Sequence, residues 1–230
     1  SLCTGNIKTK NLDKVYRDLE IEFSNKKNVN QLLQIFKESY LSKKTYSSAT
    51  RYLVYELFKD YDIIVLDPND KRLKTQLTSI LKNEISNFNT HKIVNNTVDK
   101  ISEIYKGEFK AQVNPRKVNL FYIKDQKRYR IDFKNGFFKI LNKNYSKVEL
   151  LKIIESNPEN FSPNVLLRPL YQELILPNLA YVGGGSEISY WLELKELFIF
   201  YGIPFPILSL RCSLLLLNEK DIDQILSNNL

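Results

Sequence analysis

The sequence predicts an α/β protein carrying an antiparallel insertion, on three observations. Apolar residues recur at helical spacing through the N-terminal part, interrupted by one short continuous run, IIVLDPND, with the length and turn chemistry of a buried strand. Between Phe109 and Leu141 the period falls to two, in VNLFYIKD, RYRIDF and FFKIL, with Asn135-Gly136 placed between two such runs as a type I′ hairpin turn. From Phe161 onward an apolar block contains NLAYVGGGSE, a strand that passes through three glycines into a helix.

Taken in order, Lys8 to Phe23 is an amphipathic stretch of ambiguous type, with Leu12, Val15, Tyr16 and Leu19 at helical spacing. Asn28 and Asn30 are candidate caps for a helix through Leu32, Leu33, Ile35, Phe36 and Tyr40. A second helix is expected from Ser47 or Ser48 to Lys59, its Tyr52, Leu53, Tyr55, Leu57 and Phe58 forming a core face rather than a set of base-stacking aromatics. Ile63 to Leu66 reads as a buried strand ending at Asp67, Pro68, Asn69 and Asp70, followed by a helix from about Asp70 to Ile85. That order is the βα half of a doubly wound unit, whose ligands sit beyond the carboxyl ends of the strands; Asp67 is placed for a ligand, but capping by Asp67 or Asp70 explains the same residues. A helix from about Lys92 to Tyr105 follows, with His91 at its start as a surface or capping residue.

In the meander, alternation puts Arg128, Arg130, Lys134 and Lys139 on a solvent face first and a phosphate-facing patch second. A short helix at Glu149 to Glu155 precedes Pro158. Then come a strand-like VLL, a helix opened by Arg168-Pro169 and closed by Pro177, the strand NLAYVGG, and a helix capped by Ser186 with Glu187 in its first turn. Tyr190, Trp191, Leu194, Leu197, Phe198 and Tyr201 form the stripe of that helix, which Gly202 and Pro204 end. FPILSLRCSLLLL is the next expected strand, and Glu219 to Leu226 a final helix.

At 230 residues with 43% hydrophobic content the chain can bury a substantial core. No apolar run reaches the ~18 to 20 residues that cross a bilayer, and SLCTGNIKTK has no targeting character, so no membrane contact and a cytoplasmic location are expected. The chain contains no methionine and starts at a serine, the expected signature of a piece of a longer protein. Cys3 and Cys212 fit reduced thiols, Cys212 in the core. One histidine and two cysteines make a zinc site hard to assemble, and no metal site is read. The net charge of +8 divides into −4 for residues 151–230 and +12 for residues 1–150. A basic half can bind anionic metabolites or nucleic acid, but no recognition motif accompanies the charge.

The residue types around the glycine turn carry the candidate chemistry. Gly183, Gly184 and Gly185 let backbone N–H groups approach an anion at a helix N-terminus, with Ser186 and Glu187 in the first turn. GGGSE lacks the spacing of a dinucleotide fingerprint and the lysine of a P-loop, and tight packing explains three glycines equally well. Arg168 and Arg211 are each isolated in apolar runs, with Gln172 one helical turn beyond Arg168. A buried guanidinium needs an anionic partner, either Glu173 or Glu187 from the chain itself or a bound phosphate or carboxylate.

The run VLLRPLYQELILPNLAYVGGGSEISYWLELKELFIFYGIPFPILSLRCS resembles the corresponding block of the bacillithiol biosynthesis cysteine-adding enzymes, as do TRYLVYELF, IIVLDPND and AQVNPRKVNLFY in the same order. The resemblance covers approximately Leu32 to Leu217. It implies a Rossmann-like core of the nucleotidyltransferase type, interrupted by an inserted helical and antiparallel β-meander segment, and a parent homodimer joined by a C-terminal coiled coil not seen in this sequence. It further implies amide attachment of L-cysteine to glucosaminyl-malate in the last step of bacillithiol biosynthesis, with a nucleotide such as ATP or ADP as an associated ligand. On that basis Arg168, Gln172, Gly183, Gly184, Gly185, Ser186, Glu187 and Arg211 are the expected substrate- or nucleotide-binding residues; no catalytic base is assigned. The expected segments are 1–106, helical with one βα unit of the core; 107–146, the meander; and 147–230, the second half of the core. The competing readings are a basic nucleic-acid-binding module and a scaffold without its own ligand.

Overall fold

The computed structural model of the chain describes residues 3–106 and 108–227. Its N-terminal part is a chain of helices, α1 (Asp13–Phe23), α2 (Val29–Phe36) and α3 (Tyr46–Phe58). The amphipathic Lys8 to Phe23 stretch is thus helical, and Asn28 starts α2 from a left-handed backbone without a side-chain capping bond. Thr45, rather than a serine, caps α3: its Oγ1 accepts from the Ser48 N–H and Ser48 Oγ accepts from Thr45 N–H. The expected core face of α3 is only partly sealed. Ala49 is buried, but Tyr55, Leu57 and Phe58 are exposed, and Tyr52 turns its hydroxyl to Glu38 at 2.5 Å.

Residues 63–67, where IIVLDPND suggests a strand, form no regular element and pair with no strand among the described residues, and Ile64 is 68% exposed. The continuous apolar run has the composition of a strand, but Val65 and Leu66 lie beside the first turns of α3 instead. Asp67 holds that arrangement, accepting from Ser47 Oγ at 2.5 Å and from Asn69 N–H at 2.9 Å. Asp70 is the helix cap, accepting from Arg72 N–H at 2.9 Å. The single helix expected after it is two, α4 (Lys71–Gln76) and α5 (Thr78–Asn87), followed by α6 (Asn89–Ile104).

The meander forms as β1 (Leu120–Lys124), β2 (Lys127–Lys134), β3 (Phe137–Ile140) and β4 (Lys143–Tyr145). Asn135 and Gly136 both have positive φ, at 50° and 82°, as a type I′ turn demands. After α7 (Lys147–Ser156), capped by Ser146 and Glu149, β5 (Phe161–Pro163) pairs with β1 and completes an antiparallel sheet of order β4-β3-β2-β1-β5. Strand pairing therefore crosses residue 146, where the sequence suggested a segment boundary. VLL is not a strand: Asn164 Oδ1 accepts from Leu166 N–H and Leu167 N–H, folding both buried leucines into the approach to α8 (Arg168–Ile175).

The chain then runs β6 (Ala180–Gly183), α9 (Gly185–Leu192), α10 (Lys195–Tyr201), β7 (Ile207–Leu210) and α11 (Glu219–Ser227). β6 and β7 are parallel, Ala180 opposite Ile207 and Gly183 opposite Leu210, so the two helices form a βαβ crossover. The expected single helix bends between Leu192 and Lys195, which lets Trp191, Leu194, Leu197 and Phe198 all reach the core. The strand expected over FPILSLRCSLLLL stops at Leu210; Cys212 and the leucines after it are exposed, against the core placement expected for Cys212. Both cysteines are free thiols. Among the described residues no helix is long and apolar enough to cross a membrane.

One core packs the meander against α5, α7 and α8 and continues into the crossover. Within it Glu84 is fully buried, its Oε1 accepting from Asn119 N–H and Asn119 Nδ2, both at 2.8 Å. Burial raises its pKa. Glu84→Ala leaves two buried donors without that acceptor, so a loss of about 2–4 kcal/mol is expected. The check is urea unfolding, in which the midpoint falls at unchanged slope and Glu84→Gln, which keeps an acceptor oxygen, loses less.

Candidate functional site

The carboxyl ends of two parallel strands meet at the glycine turn. β6 ends at Gly183, β7 ends at Leu210, and the ladder closes with Arg211 N–H donating to the Gly183 carbonyl at 2.9 Å. Ligands of open α/β sheets bind at this kind of edge. The three glycines differ in what requires them. A Cβ on Gly183 would lie 2.7 Å from Tyr181 Cε1, and that ring is fixed by stacking on Trp191 at 4.0 Å. A Cβ on Gly184 would lie 3.1 Å from Arg211 Nη2, so this glycine is what lets the guanidinium rest on the turn. A Cβ on Gly185 would meet nothing within 4 Å, and its φ is not positive. Packing therefore accounts for Gly183 and Gly184, whereas Gly185 faces open space at the first position of α9.

Gly184, not Ser186, occupies the cap position of α9. Glu187 Oε2 accepts from Gly184 N–H at 2.8 Å. That bond, and then the field of Arg211 beyond it, holds the Glu187 carboxyl below its usual pKa against the opposing effect of burial. The N–H groups of Gly185 and Ser186 open the helix, where no preceding turn supplies an acceptor. Two N–H donors, the helix dipole and a guanidinium thus share one edge, an arrangement that fits a phosphate or carboxylate group.

Arg168 joins the same edge from α8. Its Nη1 donates to Gln172 Oε1 at 3.1 Å and its Nη2 to Tyr190 Oη at 3.0 Å. The sequence could not identify the tyrosines: Tyr190 sits in an apolar stripe and looks like core. Neither expected carboxylate pairs with the arginines. Glu173 is buried and committed to Asn178, accepting from its N–H and its Nδ2 at 2.8 Å each, and Glu187 serves the turn. Among the described residues no ion pair within 4.0 Å includes Arg168 or Arg211. All eight expected binding residues lie on α8, the β6–α9 turn or the end of β7; Gln172 acts on Arg168, and Ser186 offers its N–H rather than a capping hydroxyl.

Residues 2–212 match the family described as "Bacillithiol biosynthesis BshC, N-terminal Rossmann-like domain". The chain belongs to the BshC family. Its α/β architecture is the Rossmann-like one of that domain, with the antiparallel sheet built into it. Relatives named "Putative cysteine ligase BshC" include one from Flavobacterium psychrophilum, 43% identical over 94% of this chain and 40% of the relative. Another, from Flavobacterium johnsoniae, is 40% identical over the same shares of each chain. A third, from Chloroherpeton thalassium, is 33% identical over 83% of this chain and 34% of the relative. The chain thus spans about two fifths of the length of the first of these BshC proteins.

Proposed function

We propose that the chain supplies the anion-holding part of a cysteine ligase that joins L-cysteine by an amide bond to glucosaminyl-malate, the last step of bacillithiol biosynthesis. Membership of the BshC family supports the reaction class, and the observation that carries the site is the open first turn of α9, with Gly185 facing no neighbour and Arg211 laid over Gly184. In amide formation negative charge develops on the carboxyl oxygen under attack and on its leaving group. N–H donors fixed at a helix start and guanidinium groups without carboxylate partners stabilise such charge without reorganising. A nucleotide, when bound, would supply activation of the cysteine carboxyl; Gly185 N–H, Ser186 N–H and Arg211 would hold a phosphate of it. Arg168, oriented by Gln172 and Tyr190, is the second fixed cation on that edge.

The test is Gly185→Val in a chain of the relatives' full length, assayed for cysteine addition to glucosaminyl-malate. A Cβ at this position meets no atom within 4 Å, so stability should stay within about 0.5 kcal/mol. Activity should fall about 10²-fold or more, as expected when donors to a developing charge are screened. Full activity in the variant, or an unsubstituted protein that does not act on glucosaminyl-malate, would sink the proposal.

A further inference from the structure

A second group of cations lies away from the glycine turn. A cavity of about 260 Å³ opens between the Pro68–Asn69 turn, the β1–β2 and β5 region of the meander and the start of α8. Lys74, Arg128 and Arg168 line it, and its lining contains no carboxylate. Lys74 is the least expected of the three. It sits on α4 with only 3% of its surface exposed, and its Nζ donates to the Glu159 carbonyl at 3.1 Å. The neighbouring acids are engaged elsewhere: Asp67 by Ser47 and Asn69, and Glu159 by Lys71, whose Nζ is 2.7 Å from Oε1. Among the described residues Lys74 has no ion pair within 4.0 Å. Arg128 is anchored by Nη2 donating to the Pro163 carbonyl at 2.9 Å, with its guanidinium over the Phe121 ring at 4.3 Å.

We infer that this cavity is a separate subsite for a small doubly charged oxyanion, a dicarboxylate or a phosphate, held by Lys74, Arg128 and Arg168. Lys74, removed from water on a cavity wall shared with Arg128 and Arg168, is held charged at a cost that a bound dianion offsets. The volume lies below the roughly 300–1,000 Å³ of pockets that enclose drug-sized ligands, so the occupant is a small ion or one charged end of a larger molecule. Arg168 stands between this cavity and the α9 turn, which makes the subsite a neighbour of the proposed reaction edge. The inference concerns binding and holds whether or not the ligase reading does.

The experiment is calorimetry on a chain of the relatives' full length, at low ionic strength, with L-malate, inorganic phosphate and acetate. Saturable binding of malate or of phosphate is expected, with acetate at least ten-fold weaker; which dianion binds tells a dicarboxylate source from a phosphate source. Lys74→Met and Arg128→Ala should each weaken malate binding ten-fold or more, and Gly185→Val should leave the Lys74-dependent binding unchanged, which separates this subsite from the glycine turn. A measurement on the unsubstituted protein needs no variant to fold. Burial lowers the pKa of Lys74 to about 8 within the fields of Cys3, Arg128, Asp67 and Glu159, so dianion binding at pH 8 should take up a fraction of a proton, read from heats in two buffers. Absence of dianion binding, binding that survives Lys74→Met, or equal affinity for acetate would each overturn the inference.

Discussion

Replacing Arg168 by alanine is expected to lower cysteine ligation about 10²- to 10³-fold while leaving the fold almost as stable as before. The two halves of that result come from one feature: the guanidinium is held by the neutral oxygens of Gln172 and Tyr190 and is in no ion pair among the described residues. Deleting it leaves no buried carboxylate uncompensated, so the large penalty for breaking a buried ion pair does not arise. What disappears is a fixed positive charge between the α9 turn and the Lys74 cavity. Arg168→Lys should recover only part of the activity, because a single ammonium cannot span Gln172, Tyr190 and an incoming oxyanion as a planar fork does. The measurement is kcat and KM for glucosaminyl-malate and for cysteine, paired with thermal unfolding. Ligation at the unsubstituted rate in Arg168→Ala would remove this residue from the site; a large fall in melting temperature would show that its part is structural.

Much of the fold and of this edge is legible because glycine, proline and cap residues act locally. The Asn135-Gly136 turn, the Arg168-Pro169 start, the Gly202 stop and the strand running into Gly183 depend on φ preferences and missing donors, which a few adjacent residues determine. Long-range pairing was not legible. β5 contributes only Phe161, Ser162 and Pro163 to the sheet, too short to show a period, and its partner lies on the far side of the meander. The opposite error at Ile63–Leu66 has the same origin: an apolar run of strand length does not say whether a neighbouring strand exists.

The candidate residues divide along the same line. The glycines and arginines drew notice because each is unusual in its local context. Which glycine is needed for packing required coordinates, since Tyr181 and Arg211 approach Gly183 and Gly184 through tertiary folding. Lys74 does not stand out among many lysines, although Lys74, Leu77 and Leu81 share one helical spacing and both leucines are buried. A lysine in such a stripe was the available signal, and it is masked by the basic character of the whole N-terminal part.

The same lysine leads to the second large prediction, on stability. Burial moves the Lys74 pKa from 10.5 to about 8. Below about pH 8 the ammonium is charged in both folded and unfolded states, and the folded state bears the full penalty of holding it. Between pH 8 and 10.5 the folded protein releases this proton while the unfolded chain keeps it, so stability rises with pH by roughly 3 kcal/mol across that window, apart from other titrations. Lys74→Met removes this rise. At pH 7 the variant should be more stable by roughly 1–3 kcal/mol, the gain being reduced by the lost hydrogen bond to the Glu159 carbonyl. Urea unfolding of both proteins from pH 6 to 11 checks the sign. A variant less stable at pH 7, or parallel profiles, would mean that the protein relieves this charge in another way. Adding the dianion that occupies the cavity should stabilise the unsubstituted protein more than the variant at the same concentration, because only the former holds the Lys74 charge that the ligand neutralises. A lysine whose removal strengthens the fold but weakens anion binding is one that packing alone does not explain.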